Sequence, residues 1–218
     1  MKRTSLVMML LGTVCTIPAA AQWQGMPIWN NPKGGTGVTI NGDAGFPNTN
    51  GGKGTAFGAR GELGLTNLAF TAGVSSWKPD GASSSTTTWA GVGQLRVIGG
   101  SLMPVALNIQ AGAGTASAIT TGTVTMAKTT NMFVGAGASV NVPTPGITIE
   151  PYVSVSNRWH TPSGGSSESN IGWVLGANVG FGMFGVHVAF DSEKFNDGTT
   201  RGVFGIGAHF ALNAPAGM

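Results

Sequence analysis

From Ile147 to Ser156 the chain alternates without a break. Ile147, Ile149, Pro151, Val153 and Val155 are apolar or Pro, and Thr148, Glu150, Tyr152, Ser154 and Ser156 are polar. Successive side chains of an extended strand point to opposite faces, so this run is a β-strand with one apolar and one polar face. The pattern recurs, placing strands near 37–46, 54–65, 68–77, 87–98, 104–115, 129–142, 147–160, 169–182, 184–194 and 201–212. Nowhere does the chain offer the roughly 20 consecutive apolar residues that a membrane-crossing helix needs.

The joins between these segments alternate in length. Pro47–Lys53, Lys78–Thr87, the Thr/Ala-rich stretch up to Lys128, Thr161–Glu168 and Phe195–Thr200 are long. Thr66-Asn67, Gly99–Met103, Pro143-Thr144-Pro145-Gly146 and the single residue Met183 are short. In a membrane barrel every other connection is a tight periplasmic turn and the rest are external loops. The expected fold is therefore all-β, an antiparallel up-and-down transmembrane β-barrel of about ten strands, with eight as the alternative.

Period 2 also divides the residues between two faces. Outward sets such as Val38, Ile40; Leu63, Leu65; Val105, Leu107, Ile109; and Val186, Val188 carry almost no charge. Inward sets collect Asp43, Arg60, Glu62, Gln94, Arg96, Asn108, Gln110, Asn141, Glu150, Tyr152, Arg158, Asn178, His187, Asp191 and His209. A soluble barrel would share this period with its apolar face inside. The aromatics favour the membrane: Phe46, Phe57, Trp89, Trp159, Trp173 and Phe204 fall outward near the external ends of six strands, and Phe70, Phe181 and Phe210 near the opposite ends. Two such girdles match the two interfaces of a bilayer.

The start of the chain fits export. Met1-Lys2-Arg3 is a basic n-region, Leu6–Leu11 opens an apolar run, and Ala19-Ala20-Ala21 is an A-x-A-like cleavage site. Residues 1–21 are read as a signal peptide, 22–36 as an N-terminal segment at the periplasmic mouth that either caps the lumen or rests Trp23 and Trp29 in the interface, 37–212 as the barrel and 213–218 as a tail. The single cysteine, Cys15, lies in the signal, so the mature chain is expected to hold no thiol. Charged residues make up 9% of the chain, against about 25% in an ordinary soluble domain. No basic stripe is present, so no nucleic-acid partner is expected.

With these features the chain resembles the small outer-membrane β-barrel proteins of diderm bacteria, porin-like or OmpA-type in the broad sense. The closing segment Gly207-Ala208-His209-Phe210-Ala211-Leu212 is similar to the Gly-x-x-hydrophobic-x-hydrophobic signal such proteins present to the barrel-assembly machinery. Ile206 departs from it, standing where that signal prefers a polar residue, and six residues follow the strand. The resemblance implies residence in the cell outer membrane, outer-membrane lipids and the assembly machinery as partners, and a monomer. No peptidoglycan-binding domain is expected after Met218.

Chemistry, if any, lies in the lumen. Arg60, Glu62, Arg96, Glu150, His187, Asp191 and His209 are candidates for a charged constriction, the alternative being a network of paired charges that fills the bore. Inward glycines, among them Gly58, Gly64, Gly73, Gly137, Gly176 and Gly205, suggest that water occupies part of it. Tight joins set cross-strand neighbours: Glu62 with Thr71, Arg96 with Asn108, Gln94 with Gln110 and Asp191 with Gly176; Tyr152 is expected across from Gly137, and His187 beside His209 on the adjacent strand. The two histidines lack an evident third ligand, so no metal and no cofactor is expected. His160 near Ser154, Ser156 and Arg158 is the one cluster suggestive of catalysis. It lacks the closing His-x-Ser of outer-membrane lipid A deacylases, and no catalytic residues are assigned. The functional expectation is a narrow passive pore for small solutes or a structural barrel. The alternatives are a non-conducting surface protein that works through its external loops and, remotely, a lipid-modifying enzyme.

Overall fold

A computed structural model of the chain describes residues 23–100, 103–121 and 124–213. The proposed signal peptide and residues 214–218 of the expected tail lie outside them. Ten long strands form the wall: β1 Gly37–Pro47, β2 Thr55–Leu65, β3 Leu68–Lys78, β4 Thr86–Gly100, β5 Met103–Ala116, β6 Thr129–Val140, β7 Ile147–Pro162, β8 Glu168–Phe181, β9 Phe184–Lys194 and β10 Thr200–Asn213. Each pairs antiparallel with the next, and β10 pairs back onto β1 from Gly37↔Asn213 to Pro47↔Val203, so the sheet closes. Closure removes the unpaired edges that an open sheet would expose to lipid. Among the described residues no helix is long and apolar enough to cross a membrane.

The period-2 reading and the observed strands agree to within two residues at every end. The sixth strand stops at Val140. The backbone N–H of Asn141 donates to Pro104 (2.6 Å), and a short strand, Val142–Thr144, then pairs with the start of β7. A small hairpin, Ile119–Thr121 with Val124–Met126, stands in the long β5–β6 connection. Long joins gather at one mouth and tight turns at the other.

Register follows the turns. Glu62 faces Thr71, Arg96 faces Asn108 and Gln94 faces Gln110, as the tight joins predict. Three pairings differ. Asp191 lies opposite Val174, two residues from the expected partner, because the two-residue turn is Gly182-Met183 with Phe181 paired to Phe184. The left-handed φ of +66° at Gly182 makes that turn possible. Across the next connection, where Lys194 pairs with Thr200, His187 faces Gly207 and His209 faces Gly185. Tyr152 faces Ser139 and Gly176, because the β6–β7 turn tightens to Pro145-Gly146.

Outward apolar side chains are exposed on every strand, from Val38 on β1 through Val153 on β7 to Ile206 on β10. The expected girdle aromatics stand on this outer face. Phe57 and Trp89 are each 64% exposed, and Phe46, Trp173 and Phe204 are also exposed. Trp159 and Phe210 are half-covered on the same face. Phe46 stacks on Phe204 with ring centroids 6.5 Å apart, and Trp173 meets Phe190 at 5.7 Å. Near the tight turns, Phe184 meets Phe210 at 5.1 Å. So much contiguous exposed apolar surface has no place in water and fits a lipid-facing band.

Inside, Trp77 at the long-loop end of β3 is 1% exposed and packs with Trp23, Met26 and Ala56. Its indole N–H donates to the Lys53 carbonyl (2.9 Å), tying the β1–β2 loop over the lumen. Trp77→Ala should lower stability by about 3 kcal/mol, as for other buried Trp truncations. Urea unfolding in lipid vesicles measures this; Trp89→Ala, at similar height but facing lipid, should cost clearly less.

Candidate functional site

The N-terminal segment does not rest at a mouth of the barrel. Residues 23–36 run through the lumen, from Trp23 at the long-loop end to Thr36 at the tight-turn end, where β1 begins. They contain no strand or helix, so their backbone polar groups need partners from elsewhere. Inward side chains of the wall provide them. The N–H of Gln24 donates to Thr88 Oγ1 (3.3 Å), and its carbonyl accepts from Ser75 Oγ (3.4 Å). The N–H of Ile28 donates to Asp191 Oδ2 (2.8 Å). The carbonyl of Asn30 accepts from Asn178 Nδ2 (3.4 Å), and that of Asn31 from Gln94 Nε2. The N–H of Lys33 donates to Glu150 Oε1 (3.1 Å), and its carbonyl accepts from Arg96 Nη1 (2.5 Å). The Asn30 and Asn108 amides pair reciprocally, Asn108 Nδ2 to Asn30 Oδ1 at 2.7 Å.

The candidate constriction residues thus separate into three roles. Arg96, Glu150 and Asp191 hold the backbone of the segment. Arg60 pairs with Asp43 (2.6 Å), which also bonds His187 Nε2 (2.7 Å). Trp29 covers this trio, its ring 5.2 Å below the Arg60 guanidinium and edge-on to His187 at 4.5 Å. His187 and His209 are diagonal neighbours yet still meet, Nδ1 to Nδ1 at 3.4 Å. Among the described residues no group of three or more His, Cys, Asp or Glu is arranged to hold a metal. Glu62 lines the remaining cavity of about 240 Å³, together with Lys33, Glu150, Thr71, Asn178 and His209. This cavity lies between the segment and the tight-turn half of the wall.

A second network fills the long-loop half, and sequence reasoning reached only part of it. Arg158, 1% exposed, donates to Asp191 (2.7 Å), Glu193 (3.2 Å) and Ser156 (2.9 Å). His160 is held between Glu193 (2.6 Å) and Asn131 (3.0 Å) and stacks on Phe195, over which Arg201 lies at 3.7 Å. Glu193 was missed because it falls at a strand end, although its period-2 position with Asp191 and His187 marks it as inward. Asp191 joins the two systems, since one oxygen takes Arg158 and the other the Ile28 N–H.

The expected watery bore is occupied. Added Cβ atoms at Gly45 and Gly64 would strike the carbonyls of Gly25 and Gly35, and one at Gly205 would reach Pro27 at 2.6 Å. Gly137 leaves room for Asn30, Gly172 for Arg158 and Gly176 for the Tyr152 ring. Inward glycine here marks close approach of another group.

The closed sheet, lipid-facing band and paired aromatic girdles make this chain an outer-membrane β-barrel, and its place is the outer membrane. No protein-family model matches the chain, and no curated protein sequence matches it. Among solved structures it is similar to a bacterial polysaccharide outer-membrane secretin (10% identity, 74% of this chain and 57% of that one, TM-score 0.49). It is also similar to the β domain of the Bordetella autotransporter BrkA (11%, 83% and 100%, TM-score 0.47) and to the N-terminal β-barrel domain of Pseudomonas aeruginosa OprF (10%, 82% and 99%, TM-score 0.41). The chain spans little more than half the length of the secretin. At such identities the likeness is one of barrel architecture, and the assignment rests on the exterior described above.

Arg158→Leu should destabilise the barrel by about 3 kcal/mol or more, because it leaves Asp191 and Glu193 buried without their cation. The shift of the guanidinium-chloride unfolding midpoint checks this; a shift within error would mean the network contributes nothing.

Proposed function

We propose that this outer-membrane barrel is a narrow pore for small solutes that its own N-terminal segment holds closed. The observation that carries the reading is the match between backbone groups of residues 24–33 and side chains from β3, β4, β7, β8 and β9. Each such bond contributes on the order of 1 kcal/mol, more where a charge takes part. Together they oppose departure of the segment, and water-filled passage follows only when it leaves. In the vacated lumen Arg60, Glu62, Arg96 and Glu150 would set charge selectivity.

The reading contains no catalytic step. Both ring nitrogens of His160 are engaged by Glu193 and Asn131, which leaves none to activate a hydroxyl. A monomer is part of the proposal, since all ten strands expose apolar residues and, among the described residues, no stretch of the band is set apart for a partner subunit.

Planar-bilayer recording tests it. The refolded mature chain should be silent, and a variant lacking residues 23–33 should give discrete conductance steps. In that variant Arg96→Gln should move the cation-to-anion permeability ratio towards cations. Steady conductance of the intact chain would overturn the closure. A folded, heat-modifiable but silent deletion variant would overturn the pore and turn attention to the external loops.

A further inference from the structure

The outer wall carries a feature that the closure of the lumen does not use. Among the described residues, the charged side chains on the lipid-facing side of the strands are two lysines, Lys78 at the end of β3 and Lys194 at the end of β9. Both are exposed and both stand at the long-loop rim. Among the described residues, the outward face at the tight-turn rim, ending in Leu65, Phe181, Phe184 and Leu212, has no charge.

Lys78 borders a groove of about 500 Å³ on the outside of β2 and β3. Thr55, Ser76 and Ser85 line it with hydroxyls, and Phe57 of the external girdle lines it with an exposed ring. Asp80 is the acid that lines it. Lys53, also exposed, stands next to the groove, immediately before Gly54. Its backbone is fixed there: its N–H donates to Asn48 (3.0 Å) and its carbonyl accepts from the buried Trp77 indole (2.9 Å). Lys53 holds a left-handed φ of +49°, a conformation non-glycine residues seldom adopt without a reason outside local preference. Neither Lys53 nor Lys78 forms an ion pair among the described residues.

Lys78, three hydroxyl-bearing residues and the ring of Phe57 therefore line one groove, with Lys53 adjacent in the chain, at the rim where lipid headgroups meet acyl chains. We propose that this groove binds the phosphate headgroup of an external-leaflet lipid. Lys53 and Lys78 face the phosphate, the hydroxyls of Thr55, Ser76 and Ser85 bond its oxygens, and an acyl chain runs down along Phe57. Basic side chains at a membrane surface attract anionic lipid in this way, and their confinement to one rim fits the two unlike leaflets of an outer membrane. The inference rests on the membrane placement and not on the closure of the lumen.

Native mass spectrometry of the full mature chain, refolded in neutral detergent and titrated with phosphatidic acid or phosphatidylcholine, tests the site. The wild type should retain one phosphatidic acid in preference to phosphatidylcholine. Lys53→Gln with Lys78→Gln should weaken retention about tenfold, given the contribution of each basic residue near a lipid phosphate. Lys128→Gln with Lys194→Gln, which removes the same charge elsewhere on the rim, should change it by less than about twofold. Lys78→Arg should retain the lipid, and heat-modifiable mobility confirms that each variant is folded. Equal retention of both lipids by the wild type, or equal loss in the two double variants, would overturn the site in favour of diffuse attraction by the rim.

Discussion

An irregular peptide enclosed in a barrel must find a partner for every backbone N–H and carbonyl, and much of the polar interior of this protein answers that demand. The wall spends its own N–H and carbonyl groups on neighbouring strands, so only its inward side chains are free to serve the segment. Asp191, Glu150, Arg96, Gln94, Asn178, Ser75 and Thr88 are each placed against a backbone group of residues 24–33. A carboxylate meets an N–H and a guanidinium or amide meets a carbonyl. The polarity of the lumen is thus specified residue by residue, beyond being merely hydrophilic.

The ionic networks divide along the barrel axis. Arg158, Asp191, Glu193 and His160 occupy the long-loop half, beneath Phe195 and Arg201. Asp43, Arg60 and His187 cluster against Trp29, and Arg60 and His187 line the remaining cavity. Buried pairs of this kind add little net stability over an apolar filling of the same shape, but breaking one is costly. Their effect is to fix which groups face the segment. Asp191 shows this most clearly, because Arg158 holds the carboxylate whose second oxygen receives Ile28.

The wall was legible in the sequence because period 2 and tight turns are local. Strand ends, inside and outside faces, the aromatic girdles and the register across Thr66-Asn67 follow from residues a few positions apart. The register across Gly182-Met183 did not, because sliding a two-residue turn by one position moves every pairing of that hairpin by two, and only backbone geometry decides where the turn sits. The course of residues 23–36 was also hidden. It has no periodicity, and what fixes it is a set of partners 51 to 163 residues away. Trp23 and Trp29 can be read as interfacial anchors from sequence alone, whereas packing places both deep inside.

Glycine gave the misleading signal and, correctly understood, the useful one. The small inward positions suggest volume left for water, but an empty bore does not require glycine, since alanine would narrow it very little. A position demands glycine when another atom lies where its Cβ would be. At Gly45 and Gly64 that atom is a carbonyl of the lumen segment, and at Gly205 it belongs to Pro27. At Gly172 and Gly176 it belongs to Arg158 and Tyr152 of the wall itself. Inward glycines spread over β1, β2, β6 and β10 therefore record the path of a chain lying against all of them, and they are the sequence feature from which an occupied lumen can be inferred.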